Sequence, residues 1–131
     1  MSSELNILAI YGLYTALILL LQVTGAMGQL GMGYLLSSRD EHRTLTGITG
    51  RLDRALANSV TAMALFAPAI LILAVTNGFG PQTLTAAQVF LVARVLYVPA
   101  YAMKLTGVRT LLWLAGFAAT MVLYLMALMA G

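Results

Sequence analysis

Polar side chains recur at spacings of three and four in two otherwise apolar stretches of this chain. Arg51, Arg54, Asn58 and Thr61 follow one another at intervals of three, four and three residues, and Arg94, Tyr97, Tyr101 and Lys104 repeat that series. At 3.6 residues per turn each series stays on one face of a helix. The pattern predicts two oily rods, each with a hydrophilic seam. Lipid cannot satisfy such a seam, so it faces another seam or a ligand.

The apolar runs around these seams set the number of helices. No charged side chain occurs from Leu5 to Ser38, from Ala55 to Ala93, or from Thr110 to Gly131. Each run can cross a bilayer, which takes about 20 apolar residues. The middle run is too long for one crossing, and Asn77-Gly78-Phe79-Gly80-Pro81 interrupts it, because proline cannot continue a helix through its missing N–H. Four transmembrane helices are therefore expected, at about 5–36, 49–76, 83–105 and 109–130, in a single membrane domain over residues 1–131. Thr49 is placed to cap the second helix, and Asp53 suits the positive end of its dipole. Segment 36–48, with Ser37, Ser38, Arg39, Asp40, Glu41, His42 and Arg43, reads as an aqueous loop.

Composition agrees with that reading. Hydrophobic residues make up 61% of the chain and charged ones 8%, against about a quarter charged in soluble domains. The expected fold class is an all-α integral membrane bundle. All seven basic residues lie on or toward one side: Arg39, Arg43, Arg51 and Arg54 around the first loop, Arg94 within helix three, and Lys104 and Arg109 around the third loop. The positive-inside rule makes that side cytoplasmic and puts both termini outside. The start, Met1-Ser2-Ser3-Glu4, lacks a basic region, and the apolar run behind it is too long for a cleaved signal, so helix one is expected to stay. The net charge of +3 reads as an insertion signal and not as nucleic-acid binding, since no basic stripe with aromatic platforms accompanies it.

Several chemistries fall away. The chain has no cysteine, which excludes a disulfide, a thiolate nucleophile and cysteine-ligated metal. Its one histidine, His42 beside Glu41, reads as a solvated loop residue and not as a metal ligand. The glycines at 25, 28, 31 and 33 match neither a dinucleotide fingerprint nor a P-loop and read as small-residue helix packing. Any reactive group must come from a bound small molecule.

The seams ask for one that is anionic. Arg94 inside an apolar span costs at least about 2.5 kcal/mol at the bilayer centre without a partner. Of the four carboxylates, Glu4, Asp40, Glu41 and Asp53, only Asp53 lies on a helix near the seam, facing Arg51, Arg54, Arg94, Lys104 and Arg109. Half-buried cations in that excess suit an anionic ligand. Lys104 and Arg39 read more simply as residues reaching the headgroups of membrane lipids.

Arg51-x-x-Arg54-Ala55-x-x-Asn58 resembles the signature of the MAPEG family, the membrane-associated proteins in eicosanoid and glutathione metabolism. The stretch Val92-Ala93-Arg94-Val95-Leu96-Tyr97-Val98-Pro99-Ala100-Tyr101 resembles its second signature. Ser38–Glu41 and Leu105–Gly116 are similar to a bacterial branch of the family. The resemblance implies a homotrimer of four-helix bundles with glutathione, as co-substrate, bound between subunits near the cytoplasmic face. It implies that Arg51, Arg54, Asn58, Thr61, Arg94, Tyr97 and Tyr101 form that site, and that Arg109 stabilises the glutathione thiolate as the catalytic residue. A thiol with an ordinary pKa of about 8.5 is activated by a guanidinium and a helix N-terminus.

The chain departs from the family pattern at Thr61, where a glutamate is usual, and at Ala62, where some members have an aromatic residue. Two readings stay open. One is a glutathione transferase or peroxidase acting on lipophilic electrophiles or lipid hydroperoxides. The other is a diverged member without glutathione chemistry, which binds another anion or lipid headgroup or serves as a membrane assembly protein.

Overall fold

The computed structural model describes residues 3–31 and 47–130, and these form four α-helices. They are α1 (Glu4–Leu30), α2 (Gly47–Val75), α3 (Pro81–Ala102) and α4 (Thr106–Ala130). Each is long and apolar enough to cross a membrane. The protein is an all-helical integral membrane protein.

Helix ends follow local chemistry. Ser3 caps α1, its hydroxyl accepting from the Leu5 and Asn6 N–H groups at 3.2 and 3.4 Å. The described part of α1 runs to Leu30, with Gly31 at φ 87° as its C-cap; the rest of the expected span to 36 lies outside the described residues. Helix α2 starts at Gly47, so Thr49 is a buried residue of its first turn and not its cap. Thr49 instead packs on α1, where a Cβ on Gly25 would fall 2.5 Å from its hydroxyl oxygen. The expected packing role of the glycines is thus visible at Gly25. The aqueous segment read at 36–48, with Arg39, Glu41 and His42, lies outside the described residues apart from its last two positions.

Both described inter-helix turns close in the same way. Gly78 N–H bonds the Leu73 carbonyl at 2.8 Å with Asn77 at φ 55°, and Leu105 N–H bonds the Ala100 carbonyl at 2.9 Å with Lys104 at φ 62°. These are six-to-one bonds around a left-handed residue, the usual end of a helix that needs its last carbonyls satisfied. Helix α3 therefore ends at Ala102, three residues earlier than its polarity suggests. The expected start of α4 at 109 moves to Thr106, which puts Arg109 at the end of its first turn.

The interior is uneven along the bundle. The larger apolar cluster occupies the half near the start of α1 and includes Ile7, Tyr11, Phe66, Ile70, Phe90 and Leu123. Phe66 and Phe90 stack at 3.8 Å and Tyr11 meets Phe90 edge-on at 5.0 Å. There the Thr83 hydroxyl of α3 meets the buried carboxylate of Glu4. Toward the other end a smaller apolar cluster is built on Ile18, Ala55, Tyr97 and Val98. Polar residues take over at that end.

Candidate functional site

Helices α2 and α3 run antiparallel, and their seams meet in register. The Arg51 Nε donates to the Ala102 carbonyl at 2.7 Å. One turn deeper, the Arg54 guanidinium lies 6.0 Å from the Tyr101 ring centre. Deeper still, Arg94 Nη2 donates to Asn58 Oδ1 at 2.9 Å and lies 3.3 Å from Ser59 Oγ. A spacing of three and four on both helices brings these rungs together.

Arg94 is the most unusual member. It is 2% exposed and is among the largest fully buried side chains. Its guanidinium lies over the Tyr97 ring at 4.2 Å, a cation held on a π face. Among the described residues its Nε has no hydrogen-bond partner, and the groups that hold it, Asn58, Ser59 and Tyr97, are neutral. Helix α4 makes room for it, since a Cβ on Gly116 would sit 3.2 Å from Arg94 Cδ.

Tyr97 and Tyr101 continue the line outward, with ring centres 5.8 Å apart. Tyr101 has two guanidiniums on it, since Arg109 from α4 approaches its ring centre to 4.3 Å while Arg54 approaches from α2. Arg109, Tyr101 and Arg54 thus bring three helices together at one end of the bundle. Among the described residues no carboxylate pairs with them. Asp53, the acidic residue nearest in sequence, accepts from Gln22 Nε2 of α1 at 3.1 Å.

Of the residues singled out from sequence, Arg54, Asn58, Arg94, Tyr97, Tyr101 and Arg109 fall into one connected group. Arg51 stands at its margin, tied to the end of α3. Thr61 borders a cavity beside Asn58 and Arg94, but its hydroxyl bonds back to the Ala57 carbonyl at 3.1 Å. Lys104 is exposed in the turn after α3, outside the group. Sequence reasoning missed Ser59, Gly116 and the cavity residues Trp113 and Phe117. The detectable signal was slight: Trp113 and Phe117 are one turn apart and stack at 5.2 Å.

The molecule is thus a four-helix membrane-spanning protein with a cationic, tyrosine-lined site built at one end by α2, α3 and α4. A model of the MAPEG family matches residues 6–129, and the chain belongs to that family. No curated protein matches the chain.

Proposed function

We propose that the protein is a membrane glutathione transferase or peroxidase of a bacterial branch of the family, acting on lipophilic electrophiles or lipid hydroperoxides. Family membership supports a glutathione-related role. One observation carries the rest: three guanidiniums, of Arg54, Arg94 and Arg109, line the Tyr97–Tyr101 ladder with no carboxylate paired to them among the described residues. Glutathione is a peptide with two carboxylates and a thiol, and guanidinium groups recognise carboxylates strongly. In this reading Arg54, Asn58, Tyr97 and Tyr101 hold the peptide, with Arg51 and Thr61 at its margins. Arg94 orients Asn58 and supplies positive potential. Arg109, in the first turn of α4, stabilises the thiolate.

The site is proposed to lie between subunits of a homotrimer. Gln88, within α3 and about 10 Å from its start, is exposed and makes no hydrogen bond among the described residues. A lone amide against hydrocarbon is costly, and a neighbouring subunit can satisfy it. We place the protein in a bacterial inner membrane, and the basic residues near the turn between α3 and α4 support a cytoplasmic position for that turn.

The test is a melting curve of the detergent-solubilised protein with millimolar glutathione, followed by conjugation to a model electrophile. A ligand that binds only the folded state must raise the melting temperature. A shift with turnover supports the transferase. Absence of both favours a diverged anion-binding or assembly protein, a reading that Thr61 supports because its hydroxyl is spent on its own helix.

A further inference from the structure

Asp53 and Arg54 are adjacent in sequence, carry opposite charges, and are both exposed on α2. Neither has a charged partner within the subunit. Asp53 uses Oδ1 to accept from Gln22, and its Oδ2 makes no hydrogen bond among the described residues. The Arg54 guanidinium has the Tyr101 ring, 6.0 Å away, and no acceptor among the described residues. Successive residues of a helix point about 100° apart, so the two do not face each other. Both lie just inside the span. Arg51 is level with Ala102, the last residue of α3, and Asp53 and Arg54 follow about 3 and 4.5 Å deeper along α2. Ala57 points between the two charges, about 40° from Asp53 and 60° from Arg54. Ala64 and Pro68 continue the line of Ala57, and all three are exposed. This face of α2 therefore looks outward from the bundle, with a carboxylate on one flank and a guanidinium on the other.

We infer that this face meets a second copy of the chain, and that Arg54 pairs with Asp53 of the partner subunit. Copies inserted in one membrane share an orientation, so equal residues lie at equal depth. In a ring about an axis along the membrane normal, each copy presents opposite flanks to its two neighbours. The carboxylate flank of one α2 then meets the guanidinium flank of the next, offset by one residue or about 1.5 Å. The small side chains of Ala57 and Ala64 let the helix backbones come close. The charge-assisted pair forms at the edge of the hydrocarbon, where two unpaired charges are costly. The partner thus contributes a residue to the tyrosine–arginine group. Asp53 of the partner subunit holds the Arg54 guanidinium in place beside the Tyr101 ring, a positioning role, and Arg94 and Arg109 keep the site cationic.

The ion pair rests on the subunit contact of the proposed function, yet it forms without glutathione and is tested without it. Full-length copies carrying donor or acceptor dyes at the C-terminus are mixed in mild detergent, and energy transfer is followed as added detergent dilutes them. Asp53→Arg sets two guanidiniums against each other, and Arg54→Asp sets two carboxylates. Each should raise the protein-to-detergent ratio at half association at least about tenfold. The double reversal, Asp53→Arg with Arg54→Asp, should recover most of that loss, because a ring pairs the exchanged charges equally well. Asp53→Asn keeps an oxygen for Gln22 and removes the charge, so it should weaken association while α1 stays in place. Both positions are exposed in the subunit, and circular dichroism separates unfolding from dissociation. Unchanged association in both single reversals would mean that headgroups and water solvate the two charges, and would overturn the pair. Losses that simply add in the double reversal would overturn it as well. A melting temperature raised by glutathione, without charge coupling, sinks the pair alone. Coupling without that rise leaves the pair standing and sinks the glutathione reading.

Discussion

The Tyr14 hydroxyl of α1 donates to the Val95 carbonyl of α3 at 2.7 Å. Val95 is four residues before Pro99, which lies inside α3 and has no N–H to offer that carbonyl. A side chain from one helix thus fills the vacancy that proline leaves in another, between the turns that carry Arg94 and Tyr97. Tyr14→Phe should cost about 1–3 kcal/mol, the penalty for an orphaned acceptor in an apolar setting. Restoring a backbone N–H with Pro99→Ala should shrink the cost of Tyr14→Phe. A double-mutant cycle by thermal or denaturant unfolding in mild detergent measures the coupling, and strictly additive losses would refute the pairing.

Gly116 admits the Arg94 side chain past α4. Gly116→Val cannot fit beside an Arg94 Cδ that a bare Cβ would already meet at 3.2 Å. Overpacking of this kind costs about 1–3 kcal/mol. Melting temperature should fall, and Trp113, one turn earlier on α4, should change its fluorescence maximum. A variant as stable as the parent would show that the guanidinium has room to move.

Lys104 holds a left-handed backbone at φ 62° in the turn between α3 and α4. Only glycine adopts that region without a Cβ penalty, so Lys104→Gly should stabilise the protein by about 1 kcal/mol. Thermal unfolding checks it. Because Lys104 is exposed and outside the tyrosine–arginine group, any ligand effect should stay unchanged.

Arg54 and Arg109 flank the same ring, yet different losses are expected. If Arg109 stabilises a thiolate, Arg109→Ala should lower turnover far more than it weakens glutathione binding, while Arg54→Ala should mainly weaken binding. Arg109→Lys should recover part of the rate, since it keeps the charge without the planar fork. Conjugation kinetics and thiolate absorbance decide between this and an interfacial anchor, for which all three variants would keep parental turnover.

The basic residues predict orientation as well. A reporter fused after α4 should be active only outside the cytoplasm. Activity of a cytoplasm-specific reporter at that position would invert the arrangement.

The fold and half of the site were legible in the chain for a definite reason. Apolar length and the Asn77–Pro81 break dictate four crossings, and a spacing of three and four forces Asn58 and Arg94 onto facing seams. Residues whose role depends on a partner helix left no such trace. Ser59 looks like any small residue of a membrane helix until Arg94 reaches it. Gly116 looks like generic packing until the same side chain passes it. The contact of Asp53 with Gln22 from α1 likewise left no trace in the spacing.

The uneven interior gives the bundle the mechanics of a tuning fork. Its stem is the half where Phe66, Phe90 and Tyr11 interlock, and its tines are the helix ends that hold Arg54, Tyr101 and Arg109 around the smaller cluster of Ile18, Ala55, Tyr97 and Val98. Regions with fewer apolar contacts open at lower free energy. The tines can spread to admit a molecule from the bilayer while the stem keeps the helices in register, and whatever closes between them lends the weaker half a stiffness that its own side chains do not provide.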